Sequence, residues 1–232
     1  MPDRSRARQL AAEYLARGDP TGWFEQLYSE AAAGKATVSW ADLQPNPNLL
    51  AWWEAHAFEN EGKRALKIGC GFGDDAEQLS TWGFATTAFD IAESAIAKCR
   101  ERFSQSRVAY AVADLLHPRR AWIGQFDFVL ESYTLQVLPP HLRSAAMQSA
   151  ASFVKAGGAL LLIARGRDPN DPPGEMPWPL TREELQGLES IGLDIVSFED
   201  LVDLEDPPVR RFLVFCRRKL NATASPLVTP SM

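Results

Sequence analysis

The tightest constraint on this chain is a glycine-rich turn, Gly69-Cys70-Gly71-Phe72-Gly73, set between a short apolar run and a helix-forming segment. ALKIG (65–69) reads as a buried strand and DDAEQLSTW (74–82) as a short helix. Glycines at such a junction permit a sharp turn and let backbone N–H groups approach a ligand closely. The spacing narrows the ligand. The dinucleotide-binding pattern places its third glycine one residue later, where this chain has Asp74. Asp74 and Asp75 also put negative charge at the helix N-terminus that would otherwise hold a pyrophosphate. A ligand without phosphates fits this turn better than a nicotinamide cofactor.

From Arg64 onward, strands and helices alternate. FATTAFD (84–90) reads as a second strand, and Ala92, Ala95, Ile96, Cys99 and Phe103 then recur at helical spacing. RVAYAV is a third strand and FDFVLES (126–132) a fourth. Pro139 and Pro140 open a helix with Leu142, Ala145, Ala146, Ala150, Phe153 and Val154 on one face; Gly157 and Gly158 are expected to stop it before ALLLIA, the fifth strand. This alternation predicts an α/β fold, a parallel sheet covered by helices on both faces. Beyond Gly166 comes a Pro-rich loop, RDPNDPPGEMPWP, long enough to suspect a lid. Thr181 and Glu184 form a capping box, and LDIVSF and VRRFLVF are expected to pair antiparallel around an acidic loop. Residues 1–60 read as a helical cap interrupted by WADLQPNPN, with Trp52, Trp53 and Phe58 as core; 61–218 form the sheet domain, and 219–232 a disordered tail.

Composition removes several function classes. A hydrophobic fraction of 46% and a charged fraction of 23% are those of a globular chain. The longest apolar run, Ala159 to Ala164, is too short to span a bilayer, and the N-terminus has no apolar core of a secretory leader. Lys and Arg number 24 against 30 Asp and Glu, a net charge of −6, which disfavours sequence-independent nucleic-acid binding. The basic group Arg210, Arg211, Arg217, Arg218 and Lys219 reads as a solvated edge strand. Cys70, Cys99 and Cys216, like His56, His117 and His141, lack metal-ligand spacing, so no metal is expected, and reduced thiols suit a cytoplasmic protein.

Two acids follow the next two strands. Asp90 ends the second strand, where a carboxylate accepts hydrogen bonds from ribose hydroxyls or else caps the following helix. Asp114, just past the third strand, is placed to accept from an adenine amino group or to serve only as a turn residue, with Leu115 beside it. Taken together, the glycines and the two acids converge on one crevice at the sheet's C-terminal edge.

LKIGCGFGD, FDIAES, VADLL, FDFVLES and FVKAGGALLLIA resemble, in order and spacing, the successive motifs of class I S-adenosylmethionine-dependent methyltransferases. That resemblance covers residues 64–165 and implies a Rossmann-like, seven-stranded, mostly parallel sheet with an antiparallel last strand. It also implies that Gly69, Gly71 and Gly73 cradle the methionine end of S-adenosylmethionine and that Asp90 holds the ribose. Ile91 and Leu115 would sandwich the adenine, and Asp114 would read its amino group. Lys67 departs from the acid that many members carry at that position.

The flanks resemble a narrower group, the thiol, thiopurine and halide methyltransferases. Trp23 and the VSWADLQPNP stretch with Trp40 are similar to that group's cofactor-covering segments, and ESYTLQVLPPHLR supplies its acid as Glu131. PPGEMPWPLTREEL is similar to its substrate loop, with Trp178 at the aromatic position. Ser132 stands where that group has tyrosine, with Tyr133 next to it, and Ala41 splits the Trp-Asp pair. The reading is therefore methyl transfer to a small-molecule acceptor, a thiol first. Glu131 and Tyr133 are the candidates for a general base, and Glu131 is also a candidate cofactor contact. Tyr28, Tyr133, Met176 and Trp178 are expected to line the acceptor pocket. An N- or O-methyltransferase of a small metabolite and a non-catalytic cofactor-binding regulator are the alternatives. The segment after strand four, ESYT, has neither NPPY nor DPPY, and no Pro-Cys pair occurs, so DNA methylation is not expected.

Overall fold

The short apolar runs become seven strands of one sheet: β1 (Arg64–Ile68), β2 (Ala85–Asp90), β3 (Ala109–Val112), β4 (Phe126–Ser132), β5 (Val154–Arg165), β6 (Leu193–Val202) and β7 (Arg210–Arg218). The structure is a computed structural model that describes residues 4–56, 58, 60–205 and 207–220. The strand order is β3-β2-β1-β4-β5-β7-β6, with β7 antiparallel to both neighbours and the other strands parallel. Helices α4 (Asp74–Thr81), α5 (Glu93–Arg102), α6 (Pro140–Phe153) and α7 (Arg182–Ser190) lie between the strands in sequence. Helices α1 (Ser5–Ala16), α2 (Gly22–Ala32) and α3 (Pro47–Ala55) precede the sheet.

Side-chain alternation on the strands sorts the core into two layers. Leu66, Ile68, Leu160, Leu162, Phe212 and Val214 face one layer. Ala65, Leu161, Ile163, Leu213 and Phe215 face the other, where Trp52 and Phe128 are also buried and Trp53 stacks on Trp82 at 4.1 Å. The expected aromatic core of Trp52, Trp53 and Phe58 is thus found in this second layer. Pro140 starts α6, and Thr181 and Glu184 exchange both bonds of the capping box that opens α7.

A third apolar cluster joins Leu10, Trp23, Leu27 and Tyr28 of α1 and α2 to Ala92 and Ala95 beside the sheet, and takes in Met176 of the Pro-rich loop. Polar bonds fasten the same contacts. The Glu25 carboxylate accepts from Ser94 N at 3.0 Å and from the Ser94 hydroxyl, and Arg8 Nε donates to the Met176 carbonyl at 2.8 Å.

Two local expectations are overturned. Strand β7 is not an edge strand: it inserts between β5 and β6, leaving β6 outermost, and Arg211 is buried. Its charge is met by Asp203 and Glu205 from the β6–β7 loop, so the basic group is split between an ion-paired interior position and a more exposed end. Gly157 and Gly158 do not separate α6 from β5. The strand already begins at Val154, and Gly158 lies within it, where an added Cβ would stand 2.9 Å from the Phe126 carbonyl. The expected tail falls mostly on residues 221–232, outside the described residues. Among the described residues no helix is long and apolar enough to cross a membrane, and no His, Cys, Asp and Glu cluster is arranged to hold a metal.

Candidate active site

Strand order reverses at β1, which pairs with β2 on one side and β4 on the other, and open α/β sheets bind ligands at such a switch point. A cavity of about 1210 Å³ opens there, at the carboxyl ends of β1, β2 and β4. Its floor is the glycine turn. Gly69 and Gly71 adopt φ of +56° and +53°, a left-handed backbone that favours glycine. An added Cβ at Gly69 would come within 2.3 Å of the Thr134 hydroxyl, and one at Gly71 would meet the Tyr28 hydroxyl at 3.2 Å. Gly73 also has positive φ, but it does not line the cavity; it caps α4 against Tyr110 and Cys99.

Asp90 is buried and lines this cavity. Its Oδ2 accepts from Gly71 N at 2.9 Å and its Oδ1 from Ala92 N at 3.0 Å, so it ties the glycine turn to the start of α5. Burial pushes its carboxyl up, and the two amides and the nearby Lys67 ammonium oppose that shift. Each oxygen keeps lone-pair capacity for a further donor. Asp114 lines the same cavity beside Leu115, accepting from Leu116 N at 2.8 Å and meeting His117 Nδ1 at 2.7 Å. Ile91 also lines the cavity.

Lys67, only 2% exposed, donates to the Ile68 carbonyl at 2.7 Å and lies 3.9 Å from Asp75 Oδ2. Asp75 accepts from Asn46 N and the Ser132 hydroxyl, both at 2.8 Å, linking the WADLQPNPN loop to the end of β4. Its neighbour Asp74 is neutralised by a two-point contact with Arg102. Sequence reasoning assigned no such roles to Lys67, Asp75 or Asn46.

The roof comes from the N-terminal helices and two loops. Tyr28 and Trp40 line the cavity, joined by a hydrogen bond of 3.1 Å from Trp40 Nε1 to the Tyr28 hydroxyl. Tyr28 stands over Gly71, at the glycine end rather than in a separate acceptor pocket. Burial and the Asp90 carboxylate hold its phenol well above its usual range. Trp23 is buried in the α1–α2 cluster, edge-on to Trp40 at 6.1 Å, and does not line the cavity, whereas Phe24 does. Adjacent residues on a helix point about 100° apart, and the apolar content of both left the facing one undetermined.

Glu131, the candidate base and cofactor contact, lies deeper in the sheet. It is fully buried and off the cavity wall; its Oε1 accepts from Thr134 N at 2.7 Å and Leu135 N at 3.0 Å. Burial raises its carboxyl, and its other oxygen, Oε2, is buried with no hydrogen-bond partner among the described residues. Tyr133 does line the cavity, with φ +67°, and its hydroxyl accepts from Asn48 Nδ2 at 3.2 Å. Burial holds this phenol above its usual range, partly offset by Arg211 stacked over its ring at 4.6 Å. Met176 lines the cavity together with Pro177. Trp178 does not: its N–H donates to the Gln136 carbonyl at 2.7 Å and its own carbonyl accepts from Arg143 at 2.9 Å, so it pins the loop. Arg4, Arg8, Arg165, Arg211 and the β6–β7 loop complete the wall, and the sequence had marked none of them.

The arrangement accommodates an adenosyl ligand. Acids end β2 and β3, a turn that a Cβ would fill follows β1, and two buried polar atoms of the cavity wall, Ser39 Oγ and Asn46 Nδ2, have no hydrogen-bond partner. Residues 65–158 match the family described as a methyltransferase domain. The ubiquinone biosynthesis O-methyltransferase of Bordetella avium is 29% identical over 126 residues, 53% of this chain and 52% of that protein. The chain thus spans about half the length of the curated relatives it matches. Among solved structures, the 1,6-didemethyltoxoflavin-N1-methyltransferase of Burkholderia thailandensis superposes with TM-score 0.67 at 19% identity, covering 90% of each chain. A SAM-dependent methyltransferase of Methanosarcina mazei superposes with TM-score 0.61 at 19% identity, covering 76% of this chain and 99% of that one. Residues 65–158 thus match a methyltransferase domain, and the seven-stranded sheet around them has the same fold as these solved methyltransferases.

Proposed function

We propose that the protein transfers a methyl group from S-adenosylmethionine to a small-molecule acceptor. The observation that carries this reading is the convergence of the Gly69–Gly71 turn, Asp90 and Asp114 on one roofed cavity. When bound, S-adenosylmethionine supplies a sulfonium methyl open to in-line attack, with a neutral thioether as leaving group. Asp90 is placed to accept from the ribose hydroxyls, Ile91 and Leu115 to pack on the adenine, and Asp114 to accept from its amino group. The Gly69–Gly71 turn, with Lys67 and Asp75 beside it, would receive the methionine end. The chain's remaining task is alignment, which by itself is worth ~7–11 kcal/mol of barrier. Phe24, Tyr28 and Trp40 roof the cavity with aromatic surface, which would exclude water and could offer a π face to a cation, worth ~0.5–2 kcal/mol each.

The acceptor atom is read from the relatives. The Bordetella protein is named an O-methyltransferase and the Burkholderia neighbour an N1-methyltransferase, which favours oxygen or nitrogen over the thiol expected from the flanking motifs. A thiol remains the second reading on one observation: neither base candidate is suited to the task. Glu131 lies off the wall and Tyr133 is held protonated, and a thiol, with a pKa of ~8.5, ionises unaided more readily than a phenol at ~10. Calorimetry with S-adenosylhomocysteine and NAD, followed by labelled methyl transfer to matched phenols, amines and thiols, tests the proposal. Binding of S-adenosylhomocysteine and labelling of one acceptor class is expected. Binding of NAD alone would sink it.

A further inference from the structure

Several arginines line the same cavity: Arg4, Arg8, Arg165, Arg210 and Arg211. Arg165 ends β5, its side chain is 17% exposed, and among the described residues its one ionic partner is Glu205 at 3.8 Å, beyond hydrogen-bond distance. Arg211 sits opposite Arg165 in the β5–β7 register. It already has Asp203 and shares Glu205. Arg4 lines the same cavity, and among the described residues its guanidinium has no hydrogen bond or ion pair. Arg8, also on the wall, is engaged by Glu175 and the Met176 carbonyl. Among the described residues, Asp203 and Glu205 are thus shared between Arg165 and Arg211, and neither reaches Arg4.

Burial and the nearby Arg4 and Arg211 charges lower the Arg165 guanidinium to about 10, with Glu205 and Tyr133 opposing. A guanidinium is a rigid fork of donors, and burying one without hydrogen bonds is costly unless a ligand completes it. We propose that Arg165, with Arg4, binds an anionic group of the acceptor, a carboxylate in geometry and charge, in the cavity that also holds Tyr133. This inference rests on the methyltransferase reading of that cavity and adds the class of acceptor: a small molecule with an acid group beside its nucleophile. Arg165 and Arg4 position the acceptor and take no part in the bond changes.

The test uses ortho-substituted benzoates with a hydroxyl, amino or thiol group (salicylate, anthranilate and thiosalicylate) against their uncharged carboxamides. Affinities are measured by calorimetry on the full chain, with and without S-adenosylhomocysteine. The acids should bind at least about tenfold more tightly than the amides. Arg165→Gln should erase that preference while leaving S-adenosylhomocysteine affinity unchanged, Arg165→Lys should keep part of it, and Arg4→Ala should weaken it. In turnover the change should appear in KM more than in kcat. Equal binding of acids and amides to the wild-type chain overturns the anion site even where methyl transfer to neutral acceptors is observed. Absence of S-adenosylhomocysteine binding overturns the methyltransferase reading instead, and the cofactor-free benzoate titration still decides the anion site.

Discussion

Asp90 shows how one carboxylate can hold a backbone turn and still keep acceptor capacity on the cavity wall. Its two backbone amide bonds, to Gly71 and Ala92, set the turn that the ligand would meet. Asp90→Ala leaves both amides without their acceptor, a loss of ~1–3 kcal/mol each if they stay buried. We expect Asp90→Ala to lower Tm and to weaken S-adenosylhomocysteine binding at least about tenfold, measured by thermal unfolding and calorimetry. Asp90→Asn keeps one acceptor oxygen, so it should recover part of the Tm and little of the affinity. A variant that recovers both would make Asp90 a helix cap alone. Glu131 gives the opposite case, since it holds Thr134 and Leu135 from outside the cavity. Its carboxyl is raised by burial, so the folded state binds that proton more tightly than the unfolded chain does. Stability from this group is present at low pH and falls as pH rises from the ordinary glutamate range through the raised value. Glu131→Gln keeps an acceptor for the two amides and removes the buried charge. The variant should flatten that part of the pH–stability profile and keep turnover within about tenfold of wild type, whereas loss of a general base costs ~10²–10⁴-fold. A pH-jump series on Tm and a single-turnover assay separate the two.

At the scale of elements, α2 carries two aromatic neighbours with different tasks. Trp23 stacks on Phe24 at 3.9 Å and is buried in the cluster that joins the N-terminal helices to Ala92 and Ala95; Phe24 reaches the cavity. Trp23→Ala should cost ~3–5 kcal/mol of stability, as large-to-small core substitutions do. Phe24→Ala should leave Tm nearly unchanged and weaken ligand binding, which fluorescence-monitored denaturation and calorimetry would resolve. Equal loss of stability in both would make the roof a packing unit with no ligand-facing side. The strands were legible because buried parallel strands read as short apolar runs: FDFVLES is β4 to the residue. The turn and its two acids were legible in position because all three follow parallel strands, whose carboxyl ends meet at one edge of the sheet. What escaped has physical causes. VRRFLVF shows its alternation but not its neighbours, and the ion pairs that allow Arg211 inside the sheet depend on a loop folding back from β6. Helical periodicity likewise indicates that a segment has an apolar face without saying which aromatic meets the cavity and which the core.

Across the whole molecule, the charges divide into two sets with opposite responses to acid. At the periphery, the Arg6 side chain holds the Glu30 carboxyl down to about 2, fixing α1 to α2. Arg210 lowers Asp200 at the β6–β7 pair. Asp203 is also lowered, its bonds with Arg211 and backbone amides outweighing burial. These groups contribute stability that is complete above the ordinary carboxylate range and is lost as pH falls toward their depressed values. In the centre, burial raises Asp90 and Glu131, so protonation there relieves a charge penalty as pH falls. Acid should therefore loosen the roof and the β6–β7 loop before it loosens β1 and β4. Hydrogen exchange followed from pH 7 to about 3, with rates corrected for intrinsic chemistry, should show protection lost first in residues 5–32 and 200–209 and last in 64–68 and 126–132. The Arg6–Glu30 pair is only part-buried and the Arg210–Asp200 pair is exposed, and such pairs are individually worth little, so the expected effect is a change in order rather than a large drop in global stability. Raised salt at pH 7 should reproduce part of the order for the exposed pairs by screening them, and leave the buried Arg211–Asp203 contact intact. If the central strands exchange together with the N-terminal helices at every pH, the roof and the sheet unfold as one unit, and the cavity cannot open by releasing its roof alone.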